Sequence, residues 1–402
     1  MNVRRLPRGF GAWVGATFGM ELGSGFLAFA LTWTASAHGP GVASSVLVLT
    51  VAPAVALGLL GGVLADRFGP RRVMIATTAA TVALSTALAA ATVALGVPVP
   101  LLLAAATLIG VVSAFFRPAS GVFPRLFATD DALGAAMSRV GIASQLARTL
   151  GPPLGGALLG ALALSGVALL DALGALGMLV LLTQVRPPLR PSRPAAEPKS
   201  SSVLSGLRAL RASGGATTLL VCVSIVAGAV IPAVLLGIPL IARERGWSAA
   251  EAGLIEAGWI AGGIVIGAWF AWRGTMLRPW RPMAGGLLLV AVGLGLLSSA
   301  STWPAACAAT VAVGAGVVIF TAHVFPTYLL LAPEEMMSRF QSMLVIVQQA
   351  PQLAVYPVIG AAATTIGAGP LIVISAILVL APVPLIAGSA TLRALGPAQN
   401  AP

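Results

Sequence analysis

The fold is decided by a long stretch of sequence that carries no charged residue. It runs from Val73 to Phe116 and reads VMIATTAATVALSTALAAATVALGVPVPLLLAAATLIGVVSAFF. A helix needs about 20 apolar residues to cross the hydrocarbon core of a bilayer, so this stretch has room for two crossings and a short turn. Its apolar residues lack the period-two alternation of transmembrane barrel strands. The stretch therefore predicts a pair of transmembrane helices.

The same pattern recurs along the chain. Further stretches without Asp, Glu, Lys or Arg are Leu22–Ala65, Pro282–Pro333 and Phe340–Leu392. Only 8% of the 402 residues are charged and 58% are hydrophobic, whereas about 25% of the residues in soluble proteins are charged. The composition predicts an all-α membrane protein with twelve spans. We place them at residues 10–36, 41–65, 73–95, 100–123, 134–160, 166–185, 216–242, 249–272, 283–300, 304–331, 340–365 and 369–389.

The distribution of arginines predicts the orientation of the chain. A net charge of +12 could indicate a nucleic-acid partner, but the arginines cluster in alternate turns, for example at Arg71 and Arg72. The intervening turns, such as the one near Gly96, have none, apart from Arg243 and Arg245. This is the positive-inside pattern. It predicts a multi-pass protein of a bacterial cytoplasmic (inner) membrane with both termini in the cytoplasm, basic loops near lipid headgroups, and no nucleic-acid partner.

A proline-rich segment separates the first six spans from the last six. Residues 186–213 contain five prolines and a run of serines, a composition that cannot bury enough apolar surface to fold alone. Apolar residues at helical spacing in 203–211 indicate a short interfacial helix. We predict an N-terminal six-helix half at residues 1–185, a cytoplasmic linker at 186–215 and a C-terminal six-helix half at 216–402.

The turn after the second span carries a recognisable motif, GVLADRFGPRR at residues 62–72. It resembles the signature of the major facilitator superfamily between spans two and three. The residues that carry the motif are Gly62, Asp66, Arg67, Gly69, Arg71 and Arg72. Pro70 stands where the family usually has an arginine. The resemblance implies the major facilitator fold and a cytoplasmic latch between its halves, with residues 338–341 as the partner. The alternative is that the arginines only set the topology.

Span five carries a second motif, GPPLGG at residues 151–156. It resembles the motif that marks exporters within the superfamily, although Ala147 replaces an earlier glycine. The residues concerned are Gly151, Pro152, Gly155 and Gly156. Glycines four residues apart let helices approach closely, and Gly258, Gly262, Gly263 and Gly267 offer similar faces in span eight. We predict a glycine-rich hinge between spans five and eight; the alternative is a bent helix without directional meaning.

The wider region 115–156 resembles the branch that contains enterobactin exporters and macrolide efflux proteins. The likeness rests on FFRPA at residues 115–119 and PRL at 124–126. It covers residues 10–185 well, and the second half matches only in pattern. Arg117 and Gly121 also resemble an arginine-x-x-x-glycine motif associated with proton coupling. The alternative is that Arg117 extends to the membrane interface.

Four ionisable residues fall inside the predicted spans, namely Glu21, Arg148, Asp171 and Glu256. Each costs a few kcal/mol or more in hydrocarbon, so each should face water or a partner. Glu21 shares a helical face with Thr17 and Ser24. We hypothesise that Glu21 exchanges a proton for substrate while Arg148 modulates its affinity, and that Glu21, Ser24 and Arg148 contribute to the substrate site. The resemblance to the major facilitator superfamily implies that spans one and five adjoin, which makes Arg148 the counter-charge of Glu21. The alternative is a permanent structural ion pair.

The other polar residues within the spans are secondary candidates. Asp171 and Glu256 are each interpreted as a second proton site or as a polar packing group. The second half supplies a polar stripe in span eleven and one histidine in span ten. The candidate substrate contacts there are Gln348, Gln349, Gln352, Tyr356 and His323.

The motifs that are absent also limit the function. Cys222 and Cys307 lie in apolar spans without metal-ligand spacing, and we find no nucleophile elbow or phosphate-binding loop. We therefore predict no enzymatic activity, no metal site and no cofactor. The predicted function is export of a small amphipathic compound by proton antiport with alternating access, by a monomer. The alternative is a proton-coupled uptake symporter or uniporter of the same fold.

Overall fold

The computed structural model of the protein describes residues 8–128, 130–185, 214–274, 278–331 and 337–394. The described part of the chain is helical almost throughout. The first helices are α1 (Arg8–Ser36), α2 (Pro40–Phe68), α3 (Pro70–Leu95) and α4 (Val99–Val122), followed by a 3₁₀ turn at Phe123–Leu126. The predicted linker, with its interfacial helix, lies outside the described residues except for its last two residues, 214 and 215, which begin a helix.

One long helical run, Asp130–Gln184, is divided in two. Ala163 within it has φ 54° and ψ −176°, which is not helical backbone and which L-residues rarely adopt. We name residues 130–162 α5 and residues 164–184 α6. The break falls in the gap between the predicted spans 134–160 and 166–185.

The remaining helices are shorter on average and include two pairs that continue each other. They are α7 (Gly214–Leu235), α8 (Gly237–Glu244), α9 (Ala249–Arg273), α10 (Trp280–Ser299), α11 (Trp303–Leu330), α12 (Met337–Ile366), α13 (Ala368–Leu380), α14 (Pro382–Gly388) and α15 (Ala390–Ala394). A single-residue turn separates α7 from α8 and α13 from α14. Each pair therefore corresponds to one predicted span.

The prediction of an all-α membrane protein with about twelve spans is confirmed. Of the described helical segments, ten are long and apolar enough to cross a membrane. One of the ten, Ala132–Gln184, is 53 residues long and contains the break at Ala163, so it supplies two crossings. Helix α12, with 30 residues, is long enough to be the twelfth.

The described residues cluster into two compact units. The first comprises the described residues up to 185 together with Trp247–Leu254, and the second comprises those of 214–246 and 255–394. The short segment 247–254 therefore groups with the first unit although it follows α8 in the chain. The predicted domain boundaries stay a prediction.

The turn between α2 and α3 shows why the first motif contains Gly69. This glycine has φ 86°, a left-handed value that costs glycine little and other residues more. Pro70, the residue that departs from the family pattern, is the first residue of α3. Proline is well suited to that position because its fixed φ is helical and its missing N–H would have no partner there.

Close helix contacts in the first unit use small residues. A Cβ atom on Gly25 would lie 3.1 Å from Cα of Gly151, and one on Gly155 would lie 2.9 Å from Cα of Phe26. The glycines of the span-five motif therefore pack α5 against α1. Gly156 lies against the backbone of Ala250, whose segment belongs to the same unit.

The predicted role of the span-eight glycines is corrected by the structure. Gly258 and Gly262 lie against α11, where a Cβ on Gly258 would be 2.9 Å from the carbonyl oxygen of Cys307. Gly263 also faces α11, and a Cβ on Gly267 would meet no atom within 4 Å. It is Gly253, one turn earlier, that meets α5, with Pro153 Cα 2.9 Å from its would-be Cβ. Sequence alone could not assign these faces because each lies on the same small-residue pattern.

The basic exception to the charge pattern has a structural explanation in the second unit. The Arg245 guanidinium donates hydrogen bonds to the carbonyl oxygens of Leu297 and Ser298 at the end of α10. The neighbouring Glu244 accepts a hydrogen bond of 2.7 Å from the N–H of Ala368, the first residue of α13. A cation at a helix C-terminus and an anion at an N-terminus both complement the helix dipole. Arg245 and Glu244 thus satisfy helix ends.

Candidate functional site

The structure brings Glu21 and Arg148 together. Arg148 Nη1 lies 3.5 Å from Glu21 Oε2, and the exposed side-chain fractions are 57% for Arg148 and 33% for Glu21. The hydroxyl of Ser144 donates a hydrogen bond of 2.7 Å to the other oxygen, Oε1. We call these three residues the Glu21 site. Its carboxylate has a strong hydroxyl donor on one oxygen and a long, exposed contact to a cation on the other.

Ser144 was not among the residues singled out from the sequence. It precedes Arg148 by four residues on α5, so both side chains project from one face of that helix. That spacing was the available signal. It acquires meaning only once Glu21 of α1 is known to lie against the same face of α5.

Glu21 also lines a cavity of about 130 Å³ inside the first unit. The wall is mostly apolar and is formed by α1, α3, α4, α5 and α6 together with the 3₁₀ turn. The lining residues are Trp13, Thr17, Met20, Glu21, Met74, Phe116, Ser120, Gly121, Pro124, Met137, Val140 and Met178. The cavity therefore places the carboxylate of Glu21 at the boundary between an apolar interior and an exposed arginine.

Ser24, predicted to lie in the substrate site beside Glu21, is bonded elsewhere. Its hydroxyl donates a hydrogen bond of 3.1 Å to Asp171 Oδ1, and Ser85 donates one of 2.6 Å to Asp171 Oδ2. Asp171 itself is only 2% exposed. The Asp171 cluster, defined as Asp171, Ser24 and Ser85, joins α6, α1 and α3. Ser24 therefore contacts α6, whereas Glu21, three residues earlier on α1, contacts α5.

Arg117 and Thr17 are placed differently from each other. Arg117 is exposed near the end of α4, and its carbonyl oxygen accepts a hydrogen bond from Ser120. Thr17 is buried and donates a hydrogen bond to the carbonyl oxygen of Trp13 within α1. Neither contact involves Glu21 or Asp171. The proposed part of Arg117 in proton coupling stays a prediction.

The polar stripe of α12 is largely enclosed. Tyr356 is 0% exposed and Gln352 5%, and Gln352 donates a hydrogen bond from Nε2 to the carbonyl oxygen of Gln348. The Tyr356 hydroxyl is buried without a hydrogen-bond partner among the described residues. Glu256 is buried in the same unit. Gln348 and Gln349 are half-buried.

His323 has contacts that fit a packed side chain. It is 3% exposed, its Nδ1 lies 2.8 Å from the carbonyl oxygen of Ile319, and its ring meets Phe270 edge-on at 5.1 Å between centroids. The structure places Tyr356, Gln352 and His323 in the second unit together with Glu256. Their contact with substrate stays a prediction.

The predicted latch residues lie at the ends of α2 and α3. Arg71 donates a hydrogen bond of 3.1 Å from Nη2 to the carbonyl oxygen of Thr183 near the end of α6. A cation at this position stabilises the C-terminus of the helix. The Arg67 guanidinium lies 5.4 Å from the ring centroid of Phe68. Asp66 and Arg72 are exposed. Side chains of 338, 339 and 341 fall outside the description, so the latch stays a prediction.

This arrangement of long apolar helices around embedded charged residues defines the chain as a polytopic membrane protein. A family model described as Major Facilitator Superfamily matches residues 13–354, which is most of the chain. The protein belongs to the major facilitator superfamily, a family of transporters and not of enzymes.

Solved structures with the same fold cover nearly the whole chain. One is titled a POT family transporter in complex with a thioalcohol-conjugated peptide, with a TM-score of 0.73, 15% identity and coverage of 95% of this chain and 96% of that one. A second is a POT family transporter in complex with 5-aminolevulinic acid, with a TM-score of 0.71, 14% identity and coverage of 96% and 97%. A third, a bacterial metal transporter, has a TM-score of 0.69, 14% identity and coverage of 96% and 99%.

At these identities the similarity shows the fold. No protein of curated function matches the sequence significantly. None of these findings confirms the predicted efflux branch, and the first two structures are titled as POT family transporters in complex with a peptide conjugate and an amino acid derivative.

Proposed function

We propose that the protein is a proton-coupled secondary transporter that moves a small amphipathic solute into the cell by symport. The coupling acid is Glu21, and the solute binds near the bilayer midplane. Both termini are in the cytoplasm of a bacterial inner membrane, and the working unit is the monomer.

The observation that carries this proposal is the geometry of the Glu21 site. A carboxylate inside the membrane is costly unless it is neutralised by a proton or a counter-charge. Glu21 has both routes, because Arg148 is close enough to neutralise it but is exposed and bonded at the long distance of 3.5 Å. When Arg148 moves away or binds an anionic group of the solute, Glu21 takes a proton in its place. The proton thereby replaces Arg148 as the positive charge that neutralises Glu21.

The class of solute is proposed from the structures with the same fold. Two of them hold a peptide conjugate and 5-aminolevulinic acid, which are small solutes that carry amino and carboxyl groups. A free guanidinium on Arg148 is suited to a solute carboxylate because it offers two parallel donors. The solute class that we propose is therefore a short peptide or amino acid derivative with an apolar side group.

Export by proton antiport is the second candidate. It is favoured by the GPPLGG motif of α5, which resembles that of exporters in the superfamily. In the structure, Gly151 and Gly155 of this motif pack against α1, which carries Glu21. A change in this packing would therefore act on the coupling acid in either direction of transport.

Transport by reconstituted vesicles of known orientation tests both candidates. Dipeptides, 5-aminolevulinic acid and a macrolide are offered with an imposed proton gradient, and solute and pH are followed together. Symport predicts that peptide or aminolevulinate moves with protons down the gradient. Antiport predicts that the macrolide moves against the proton flux. Solute movement that ignores the gradient for every compound contradicts proton coupling.

A further inference from the structure

Four of the ten methionines of the chain line one cavity. They are Met20 of α1, Met74 of α3, Met137 of α5 and Met178 of α6, so each comes from a different helix. Because these positions are far apart in the sequence, no local pattern produces the cluster. The fold alone gathers four thioether groups around a volume of about 130 Å³.

Thioether sulfur is a soft and neutral ligand that prefers soft metal ions such as Cu(I), and Ag(I) shares that preference. A site made only of thioethers does not offset the charge of the ion. The same cavity is lined by the carboxylate of Glu21 and by the ring of Trp13. The carboxylate of Glu21 offsets the charge of the ion when the ion replaces Arg148 as its counter-charge, and an indole ring attracts a cation placed over its face. The lining therefore combines soft ligands with two groups that favour a cation.

Harder ions have no comparable site in the described ranges. No group of three or more His, Cys, Asp or Glu side chains there could hold a metal ion. Zinc, magnesium and calcium rely on such ligands. If the first unit binds a metal at this cavity, the donor set selects a monovalent, sulfur-preferring ion.

The four methionines differ in their exposure to solvent: three are buried and one is exposed. Met74 and Met178 are 0% and 1% exposed and Met20 is 7% exposed, whereas Met137 is 46% exposed. Methionine has three rotatable side-chain bonds and adapts to irregular spaces. Met137 can therefore capture an ion at the surface and turn inward, while the buried sulfurs close around it.

We propose that this methionine cavity is a binding site for a soft monovalent cation, Cu(I) or Ag(I), held by thioether sulfurs from four helices of the first unit. The proposal is independent of the direction and solute of transport. Its competitor is that the methionines only fill space, since methionine serves as a flexible filler in apolar cores.

Replacement by leucine separates the two explanations, because leucine keeps nearly the volume of methionine but removes the sulfur. The full chain is purified with Cys222→Ala and Cys307→Ala, since thiols bind silver strongly. Silver(I) binding is measured by equilibrium dialysis in chloride-free buffer. We expect about one tight site, and at least a tenfold weaker affinity in Met74→Leu/Met178→Leu. The matched control is Met283→Leu, a buried methionine of α10 in the second unit, which should bind as the parent does.

Absence of a tight silver site, or equal affinity in the parent and in Met74→Leu/Met178→Leu, overturns the proposal. A second measurement holds even if the double variant does not fold. In the parent labelled with ¹³C at the methionine methyl groups, silver(I) should shift the signals of Met20, Met74, Met137 and Met178 and leave Met283 unchanged. Uniform shifts, or none, also overturn it. Neither measurement involves transport, so a failure here leaves the proposed function untouched.

Discussion

Glu21 and Asp171 are two carboxylates of the first unit that lie well inside apolar helices, and their surroundings differ. The side chain of Glu21 is 33% exposed, lines a cavity and faces the exposed Arg148. Asp171 is 2% exposed and accepts hydrogen bonds from Ser24 and Ser85 on two other helices. An acid with a releasable counter-charge is suited to exchanging a proton, whereas an acid enclosed by hydroxyl donors is suited to holding helices together. The two acids therefore differ in their partners, and we infer their different roles from those partners.

The largest expected effect is the loss of coupling at Glu21. Glu21→Gln keeps the size and hydrogen-bonding capacity of the side chain but cannot release a proton. We expect proton-driven solute accumulation to fall to the background of empty vesicles, while solute exchange without a gradient persists. The measurement is solute uptake into vesicles with and without a pH gradient.

The matched control is Glu251→Gln, the same chemical change in the first turn of α9. Glu251 accepts hydrogen bonds from the N–H and hydroxyl of Ser248, a capping arrangement in which glutamine also serves. This variant should accumulate solute normally. If Glu21→Gln also accumulates solute normally, Glu21 is a structural acid like Asp171. The proposed difference in role between the two acids would then be wrong.

The next effect concerns stability at Asp171. Asp171→Ala leaves the hydroxyls of Ser24 and Ser85 without their acceptor and opens a space among three helices. We expect a loss of about 2 kcal/mol, since a hydrogen bond between membrane helices contributes about 0.6 kcal/mol and an unsatisfied group adds about 1–3 kcal/mol. Thermal unfolding in detergent, followed by tryptophan fluorescence, measures it.

Asp171→Asn refines this second test because it keeps one carbonyl oxygen as an acceptor. It should lose less stability than Asp171→Ala and still transport solute with the gradient. If Asp171→Asn is stable but uncoupled, Asp171 carries a proton, as the sequence left open, and the contrast with Glu21 disappears.

A smaller effect is expected where α1 meets the backbone beside Asp171. A Cβ atom on Gly23 would lie 2.9 Å from Cα of Asp171, so Gly23→Ala requires α1 and α6 to separate slightly. We expect a loss of about 1 kcal/mol, at the low end of the range for overpacking. Gly15→Ala is the control, because its Cβ meets no atom within 4 Å. The unfolding temperatures of the two variants should differ, and equal values would show that α1 does not pack closely here.

The smallest effect on stability is expected at Arg148. Exposed ion pairs contribute about 0–1 kcal/mol, and the pair with Glu21 is long and exposed. Arg148→Gln should therefore change the unfolding free energy by less than about 0.5 kcal/mol, yet alter the pH dependence of transport because Glu21 loses its counter-charge. A large loss of stability with an unchanged pH profile would favour the permanent structural ion pair.

Most of the fold was predictable from the sequence because membrane helices are specified locally. An uncharged stretch such as 73–116 must satisfy its own backbone in lipid, and a helix does so without help from distant residues. The break at Ala163 also fell between two predicted spans, 134–160 and 166–185. Gly69 and Pro70 likewise fix the α2–α3 turn by their own conformational preferences.

The sites were only partly predictable. Pairing Glu21 with Arg148 followed from the resemblance to a known fold, which implied that spans one and five adjoin. The hydrogen bonds that Ser144 donates to Glu21 and Ser24 donates to Asp171 could not be predicted from the sequence. One face of a helix can meet either of two neighbouring helices. The burial of Tyr356 was equally invisible in the sequence.

The sequence by itself determined that this chain is a bundle of membrane-spanning helices of the major facilitator superfamily, because apolar length, charge placement and short motifs are properties of contiguous residues. Only the tertiary structure decided which faces meet. It turned the Gly151 face toward α1 and the Gly258 face toward α11, and it gathered four methionines around one cavity. Such contacts join residues of different helices that lie far apart in the sequence, and close packing of whole helices selects them.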